Sequence, residues 1–298
     1  MFIGSFQIKK CIIGHNYLEH QQESKPMNQS TPYFQVRHNC LLYYELPEFA
    51  YRASKCEFKT KAYSGSVTNG VKKRINKSVD LLILKSPKRY IFNPITKKRQ
   101  PFTLNFITLT VSSIKLISSV EGYENLLKPF LRKLRSNCDS NVSYIWKCEL
   151  QERGQIHYHI TCNQFVHLEW IKNTWNNLQR QNRYLDHYAR LHKTFSPNST
   201  DVHAVWKVKD IASYLSKYLS KTDKSQALKS KVWDCSKDLK IKRYSFIPND
   251  EFIIKLNNLV KVGKLELVVL EQCLIFKGKN VLDLLERQDK ILLKNHLL

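Results

Sequence analysis

VSYIWKCELQERGQIHYHITCN, residues 142–163, reads as a β-hairpin. VSYIWKCEL (142–150) and IHYHITCN (156–163) are rich in β-branched and aromatic residues, and QERGQ between them is polar and carries a glycine. Alternate residues of a strand share a face, so His157 and His159 point the same way. A pairing centred on Arg153 sets Glu149 opposite His157, since each lies four residues from the centre. Directly opposed Cβ atoms are about 5 Å apart and the diagonal neighbour is about 7–8 Å away, a span a glutamate can cover. Two imidazoles and a carboxylate on one pleat are a donor set for a divalent cation with open coordination positions. A lone H-x-H is more often a pair of core histidines than a pair of ligands, and the carboxylate at hairpin distance is what raises the signal. A zinc hydrolase also uses two histidines and a glutamate, but the sequence holds no H-E-x-x-H helix and no separate general base stands out.

Working outward, FTLNFITLTVS (102–112) is a strand, and YENLLKPFLRKLRSN (123–137) a helix in which Pro129 is an awkward interior residue. LEWIKNTWNNLQRQ (168–181) is a helix with Leu168, Ile171, Trp175 and Leu178 at helical spacing. TDVHAVWKV (200–208) is a strand and KDIASYLSKYLSKT (209–222) a helix. The order β-α-β-β-α-β-α predicts an α+β domain of the split-βαβ kind, an antiparallel sheet with helices on one face. We place this domain at residues 101–225, after a basic N-terminal region (1–100) and before a C-terminal region (226–298), both of unassigned role. In the latter, 250–263 and 278–298 read as helices and LELVVLEQCLIF (265–276) as one strand. Residues 27–70 show no period.

YLSKYLSK (214–221) places two tyrosines and two lysines on one stripe of its helix. With Ile211 at zero, Leu215, Leu219 and Ala212 fall within about 100° and form the apolar arc. Lys217, Lys221, Tyr214 and Tyr218 fall between about 240° and 340°. A free phenol is a poor nucleophile, and a lysine beside it favours the phenolate and can hold a phosphate. Taken alone, the stripe reads as ordinary boundary aromatics on a basic surface. It becomes a pair of nucleophiles only beside a second site.

The formal net charge is +24, from 49 Lys and Arg against 25 Asp and Glu. Such an excess points to a polyanion, nucleic acid first and an anionic membrane surface second. Drift of an AT-rich genome toward Lys, Asn and Ile is the bland alternative. Residues 71–99 hold ten Lys or Arg and one Asp, with Val71, Ile75, Val79, Leu82 and Ile83 at helical spacing, then SPKRYIFNP as a turn and short strand. Residues 207–243 hold eleven against four acids. No apolar run approaches the ~18 residues of a membrane span, and the N-terminus lacks an apolar signal core, which predicts a cytoplasmic protein. The eight cysteines are scattered without C-x-x-C, so they read as reduced core residues. GSVTNGVKK (65–73) misplaces the lysine of a P-loop, so no ATPase is expected.

In order, FITLT (106–110), E-x₇-H-x-H (149–159) and Y-x-x-K-Y-x-x-K (214–221) resemble the three motifs of the HUH endonucleases, the rolling-circle replication initiators (Rep proteins) of small circular-DNA viruses, phages and plasmids. The paired tyrosines are most similar to the two-tyrosine initiators of microviruses and related phages and plasmids. The resemblance implies a central five-stranded antiparallel sheet like that of an RNA-recognition domain. It implies that Glu149, His157 and His159 hold Mg²⁺ or Mn²⁺, that Tyr214 and Tyr218 are nucleophiles, and that Lys217 and Lys221 are the lysines beside them. The strand 106–110 is then mainly structural. The implied activity is nicking and joining of single-stranded DNA at a replication origin through a 5′-phosphotyrosine, in the cytoplasm of a bacterial host. Lys72, Lys73, Arg74, Lys207 and Lys209 would follow the DNA backbone. Host helicase and DNA polymerase would be partners, and no membrane. Conjugative relaxases typically place the tyrosine before the histidines, and single-tyrosine transposases are shorter. The alternative is a basic nucleic-acid-binding module with an RNA-recognition-like sheet and no catalysis.

Overall fold

The computed structural model describes residues 31–37, 39–46, 67–86, 88–93, 97–138, 142–205, 211–220, 228, 231–240, 245–246, 248–270 and 273–278. In chain order the strands are β1 (Thr31–Val36), β2 (Cys40–Leu46), β3 (Arg89–Asn93), β4 (Lys98–Phe102), β5 (Leu104–Thr110), β6 (Tyr144–Leu150), β7 (Ile156–Cys162), β8 (Thr200–Val205), β9 (Trp233–Cys235), β10 (Ser245–Phe246), β11 (Glu266–Val269) and β12 (Leu274–Lys277). Helix α1 is Asn69–Leu84, and α2 runs through Ser119–Gly122, a π-helical segment Tyr123–Leu127 and Lys128–Ser136. Then come α3 (Leu168–Gln181), α4 (Asp186–His192), α5 (Ile211–Ser220) and α6 (Asp250–Lys261). The chain divides into two compact units, residues 62–241 and residues 1–61 with 242–298.

In the first unit a five-stranded antiparallel sheet has the order β8-β5-β7-β6-β9. The first four follow the split-βαβ pattern, and β9 is an added edge. The fold is α+β with a five-stranded antiparallel sheet, as the pattern of elements predicts. The hairpin β6–β7 has the register expected from its turn: Glu149 faces His157 and Leu150 faces Ile156. Gly154 takes the left-handed conformation in that turn, with φ of +81°.

One sheet face makes the core. Ile107, Leu109, Trp146, Cys148, Tyr158 and Ile160 meet Leu127, Phe130 and Leu134 of α2 and Ile171, Trp175 and Leu178 of α3. Trp175 meets Phe130 and Tyr158 edge-on, at 5.8 and 6.2 Å between ring centroids, each contact adding about 1 kcal/mol beyond burial. Helix α2 crosses this face closely at Gly122, where a Cβ would stand 2.8 Å from the Tyr158 hydroxyl oxygen and 2.9 Å from the Ile156 Cδ1. Pro129 lacks the N–H that would bond the carbonyl of Asn125. The chain widens into the π-helical segment just before it, and the Asn125 carbonyl instead accepts from Asn182 Nδ2 at 3.4 Å.

Helices also lie over the second face, which differs from the one-sided layer predicted. Helix α1 packs on α5 and on β6. Thr68 caps α1, its hydroxyl accepting from Val71 N–H at 3.3 Å. The apolar positions of α1 do face inward: Ile75, Val79, Leu81 and Leu82 are buried. The basic amphipathic helix expected from residue 71 is therefore a packed layer of the domain rather than a free arm.

In the second unit the order is β10-β1-β2-β12-β11. Phe34 is its centre, in ring contact with Tyr43, Phe252 and Phe276. Segments from both ends of the chain thus share one sheet. LELVVLEQCLIF, read from sequence as one strand, is a hairpin of β11 and β12. The helix expected over 278–298 lies outside the described residues save Gly278. The six cysteines among the described residues form no disulfide, and four are buried.

Candidate active site

The site is built on the second face of the central strands β5, β7 and β6. In β7, the two buried-face neighbours Tyr158 and Ile160 alternate with His157 and His159, which are half-buried. The imidazoles meet edge-on with centroids 4.6 Å apart. Strand β5 sets Thr110 opposite His157 and Thr108 opposite His159. The Thr110 hydroxyl lies 3.0 Å from His157 Nδ1, and the Thr108 hydroxyl 3.3 Å from His159 Nδ1. A threonine hydroxyl accepting from Nδ1–H fixes the ring and leaves Nε2 as the ligating atom. FITLT is therefore more than a core strand: its alternate residues Phe106, Thr108 and Thr110 touch the histidines and tyrosines.

Glu149 completes the pleat, its Oε2 3.4 Å from His159 Nε2. Its other oxygen accepts from Lys147 Nζ, a side chain only 2% exposed. Burial raises the Glu149 carboxyl, but hydrogen bonds from His159 and Lys147 outweigh it and hold the group at about 2. Burial, aided by the neighbouring His159, lowers His157 to about 4, so it is neutral at pH 7 and able to donate a lone pair. Two imidazoles and a carboxylate suit a cation that accepts nitrogen, Mn²⁺ better than Mg²⁺. As the side chains stand, no group of three His, Cys, Asp or Glu among the described residues converges on one point. Glu149 is turned toward Lys147 and His159.

Helix α5 brings the tyrosines to this face. Leu215 and Leu219 are buried, as the predicted arc requires, and Tyr218 is 41% exposed. Tyr214 and Tyr218 lie with ring centroids 4.8 Å apart. Both touch Phe106, at 6.2 and 5.7 Å, and Phe106 stacks on His159 at 5.4 Å. Lys147 Nζ also donates to the Tyr218 carbonyl at 3.4 Å. Burial, with Tyr218 beside it, raises the Tyr214 hydroxyl above its ordinary value, so the phenol is protonated at rest.

Lys217 is exposed on the tyrosine helix, and Lys73 and Arg74 are exposed on α1 with Lys72 half-buried. Lys207, Lys209 and Lys221 lie outside the described residues. Sequence reading missed Lys147, Thr108 and Thr110. The spacing of FITLT carried a period-two signal, but which strand it faced was not in it.

Residues 104–223 match the family model of the replication-associated proteins of the ORF2 and gene 2 protein type. The match runs from the threonine strand past the tyrosine helix and supports a replication-initiator family for this part of the chain. No curated protein matches the sequence. Among solved structures, the hypothetical protein ORF119 from Sulfolobus islandicus rod-shaped virus 1 is similar at 18% identity, with a TM-score of 0.27 over 53% of this chain and 97% of that one. That score carries no argument about fold or function.

Proposed function

We propose that this chain initiates rolling-circle replication by nicking and joining single-stranded DNA at an origin. The observation that carries the reading is the contact chain Tyr214 and Tyr218, Phe106, His159, Glu149, which joins two phenols to a His₂-carboxylate set on one sheet face.

A phenol oxygen of Tyr214 or Tyr218 attacks the scissile phosphorus, losing its proton. The bond from phosphorus to the 3′ oxygen breaks, and that oxygen takes up a proton. The products are a 5′-phosphotyrosine and a free 3′-hydroxyl that a host polymerase can extend. One phosphodiester is exchanged for another, so the step consumes no ATP. The second tyrosine can attack after one round and release a unit-length strand for closure by the 3′-hydroxyl. His157 and His159, with Nδ1 held by Thr110 and Thr108, present Nε2 toward the phosphate side, and Glu149 balances their charge. A divalent cation held by these three residues, Mn²⁺ or Mg²⁺, would neutralise charge developing on the phosphate oxygens. Lys217, with Lys221, would hold the phosphate beside the phenols. Phe106 keeps the tyrosine helix against the histidine strand. The basic residues of α1, with Lys207 and Lys209, would follow the backbone, and affinity should fall steeply with salt. A host helicase would open the duplex, and the host cytoplasm is the compartment. No helix among the described residues is long and apolar enough to cross a membrane.

The non-catalytic binding module has one observation on its side, the engagement of Glu149 by Lys147 rather than by a three-ligand cluster. An adduct gel decides between the two. Labelled origin-bearing single strand with Mn²⁺ should give a covalent band that survives denaturation. The band should vanish in the Tyr214→Phe, Tyr218→Phe double variant and in His157→Ala. A zinc hydrolase would keep cutting without either tyrosine, and a binding module would give no band with any metal.

A further inference from the structure

Strands β3 and β4 form a two-stranded ribbon that belongs to neither five-stranded sheet. Its two faces differ in a way the core does not explain. On the inner face Phe102 is fully buried and meets Phe165 edge-on at 5.7 Å. Arg89 lies over the Phe102 ring at 5.1 Å and donates to the Asn163 carbonyl at 3.0 Å and to Gln164 Oε1 at 2.9 Å. These contacts fasten the ribbon to the domain. The outer face carries Tyr90 and Phe92, which are 73% and 59% exposed. Their cross-strand neighbours on that face are Pro101 and Arg99.

A half-buried ribbon places its aromatics inward and its charges outward. Here two rings stand in solvent among cations instead. Lys88, Arg89, Lys97, Lys98 and Arg99 are all exposed, and residues 85–102 contain no carboxylate. Exposed rings without charge suit a protein partner. Exposed rings interleaved with cations alone suit a polyanion with flat apolar faces, which is a nucleic acid with unpaired bases. Duplex DNA hides those faces in its stack. Successive same-face residues of a strand are roughly 6.6 Å apart, which gives each ring its own base.

We propose that the β3–β4 ribbon is a single-stranded-DNA platform on which Tyr90 and Phe92 stack bases while Lys98 and Arg99 hold the adjoining phosphates. The proposal rests on the reading that this chain works on single strands, and it places part of the affinity outside the tyrosine and histidine face.

The test is anisotropy of labelled oligo-dT with the full chain in EDTA, where no cleavage occurs. Tyr90→Ser with Phe92→Ser should weaken binding roughly ten- to a hundredfold with an unchanged salt slope, because stacking is lost and no phosphate contact is. Lys98→Gln with Arg99→Gln should instead flatten the slope, by about 0.7 per cation. Replacing both aromatics by Trp should restore affinity, and an abasic probe should bind wild type and the serine pair alike. The proposal falls if the serine pair binds oligo-dT as wild type does, if it loses as much on the abasic probe, or if tryptophan fails to restore it. It falls equally if wild type sediments as a dimer that the serine pair dissociates, since a second copy then covers the face. Adduct formation by Tyr214 and Tyr218 on a saturating short strand is scored separately. An intact adduct with unchanged oligo-dT affinity sinks only the ribbon, and no adduct with a ribbon-dependent affinity sinks only the nickase.

Discussion

Lys147 is the residue whose place is hardest to justify by stability alone. An ammonium that is 2% exposed is costly to bury unless it is paired. It stands opposite His159 across β6–β7 and holds Glu149 on one side and the Tyr218 carbonyl on the other. It therefore links the carboxylate to the nucleophile helix. Lys147→Met keeps most of the volume but leaves Glu149 with His159 as its polar neighbour. We expect a loss of about 1–3 kcal/mol, below the cost of breaking a fully buried pair because Glu149 retains contact with water. Lys147→Arg keeps a donor and should recover most of the stability. If the link positions the helix, Lys147→Met lowers single-turnover adduct rate at temperatures where the protein is fully folded, while oligo-dT affinity in EDTA stays put. Equal rates for wild type and Lys147→Met would reduce Lys147 to a packing residue.

At the scale of elements, what was legible depended on how local the determining contacts are. The β6–β7 register followed from one turn and a two-residue period, so Glu149 opposite His157 could be read directly. The pairing of β5 with β7 joins residues about fifty positions apart, and nothing in FITLT alone names the histidines as its neighbours. Strand β9 is three residues long, too short to show a period, and is fixed by Ser236, which exchanges N–H···O bonds with the backbone of Tyr144. The β11–β12 turn contains neither Gly nor Pro, so its flanks read as one run. The edge strand and helix α1 are tied to the sheet by Asp238. Its Oδ2 accepts from Ser143 Oγ at 2.6 Å and from Lys85 Nζ at 3.1 Å. Burial raises the Asp238 carboxyl, but the hydrogen bonds from Ser143, Ser236 and Lys85 outweigh it and lower it below its ordinary value. A carboxylate lowered in the folded state binds fewer protons there than in the unfolded chain. Its contribution is complete above the ordinary carboxylate range and fades as pH falls through the folded value. Asp238→Asn should cost about 1 kcal/mol at pH 7, a figure reduced for partial exposure. Urea titrations should show that gap closing on acidification below about pH 4. A gap of constant size down to acid pH would mean that shape, not charge, makes the tie.

The whole molecule has two cores with no shared residues. One is gathered around Trp146, Tyr158 and Trp175, the other around Phe34. Sequence reading put the ends of the chain into separate regions because β1 and β2 find their partners about two hundred residues away, beyond any local pattern. Every described residue of the candidate site, the ribbon β3–β4 and helix α1 lies within residues 62–241. A unit with its own buried core, its own sheet and capped helices should fold without the rest. The fragment 62–241 should therefore melt cooperatively and give the same Mn²⁺-dependent adduct as the full chain. The Asp238→Asn and Lys147→Met shifts should be transferred unchanged, since additivity holds between sites that share no partners. An unfolded fragment would show that the second unit is needed to complete the first. A folded fragment that binds oligo-dT normally but cuts only arbitrary sequence, where the full chain cuts one origin, would assign origin choice to the Phe34 unit.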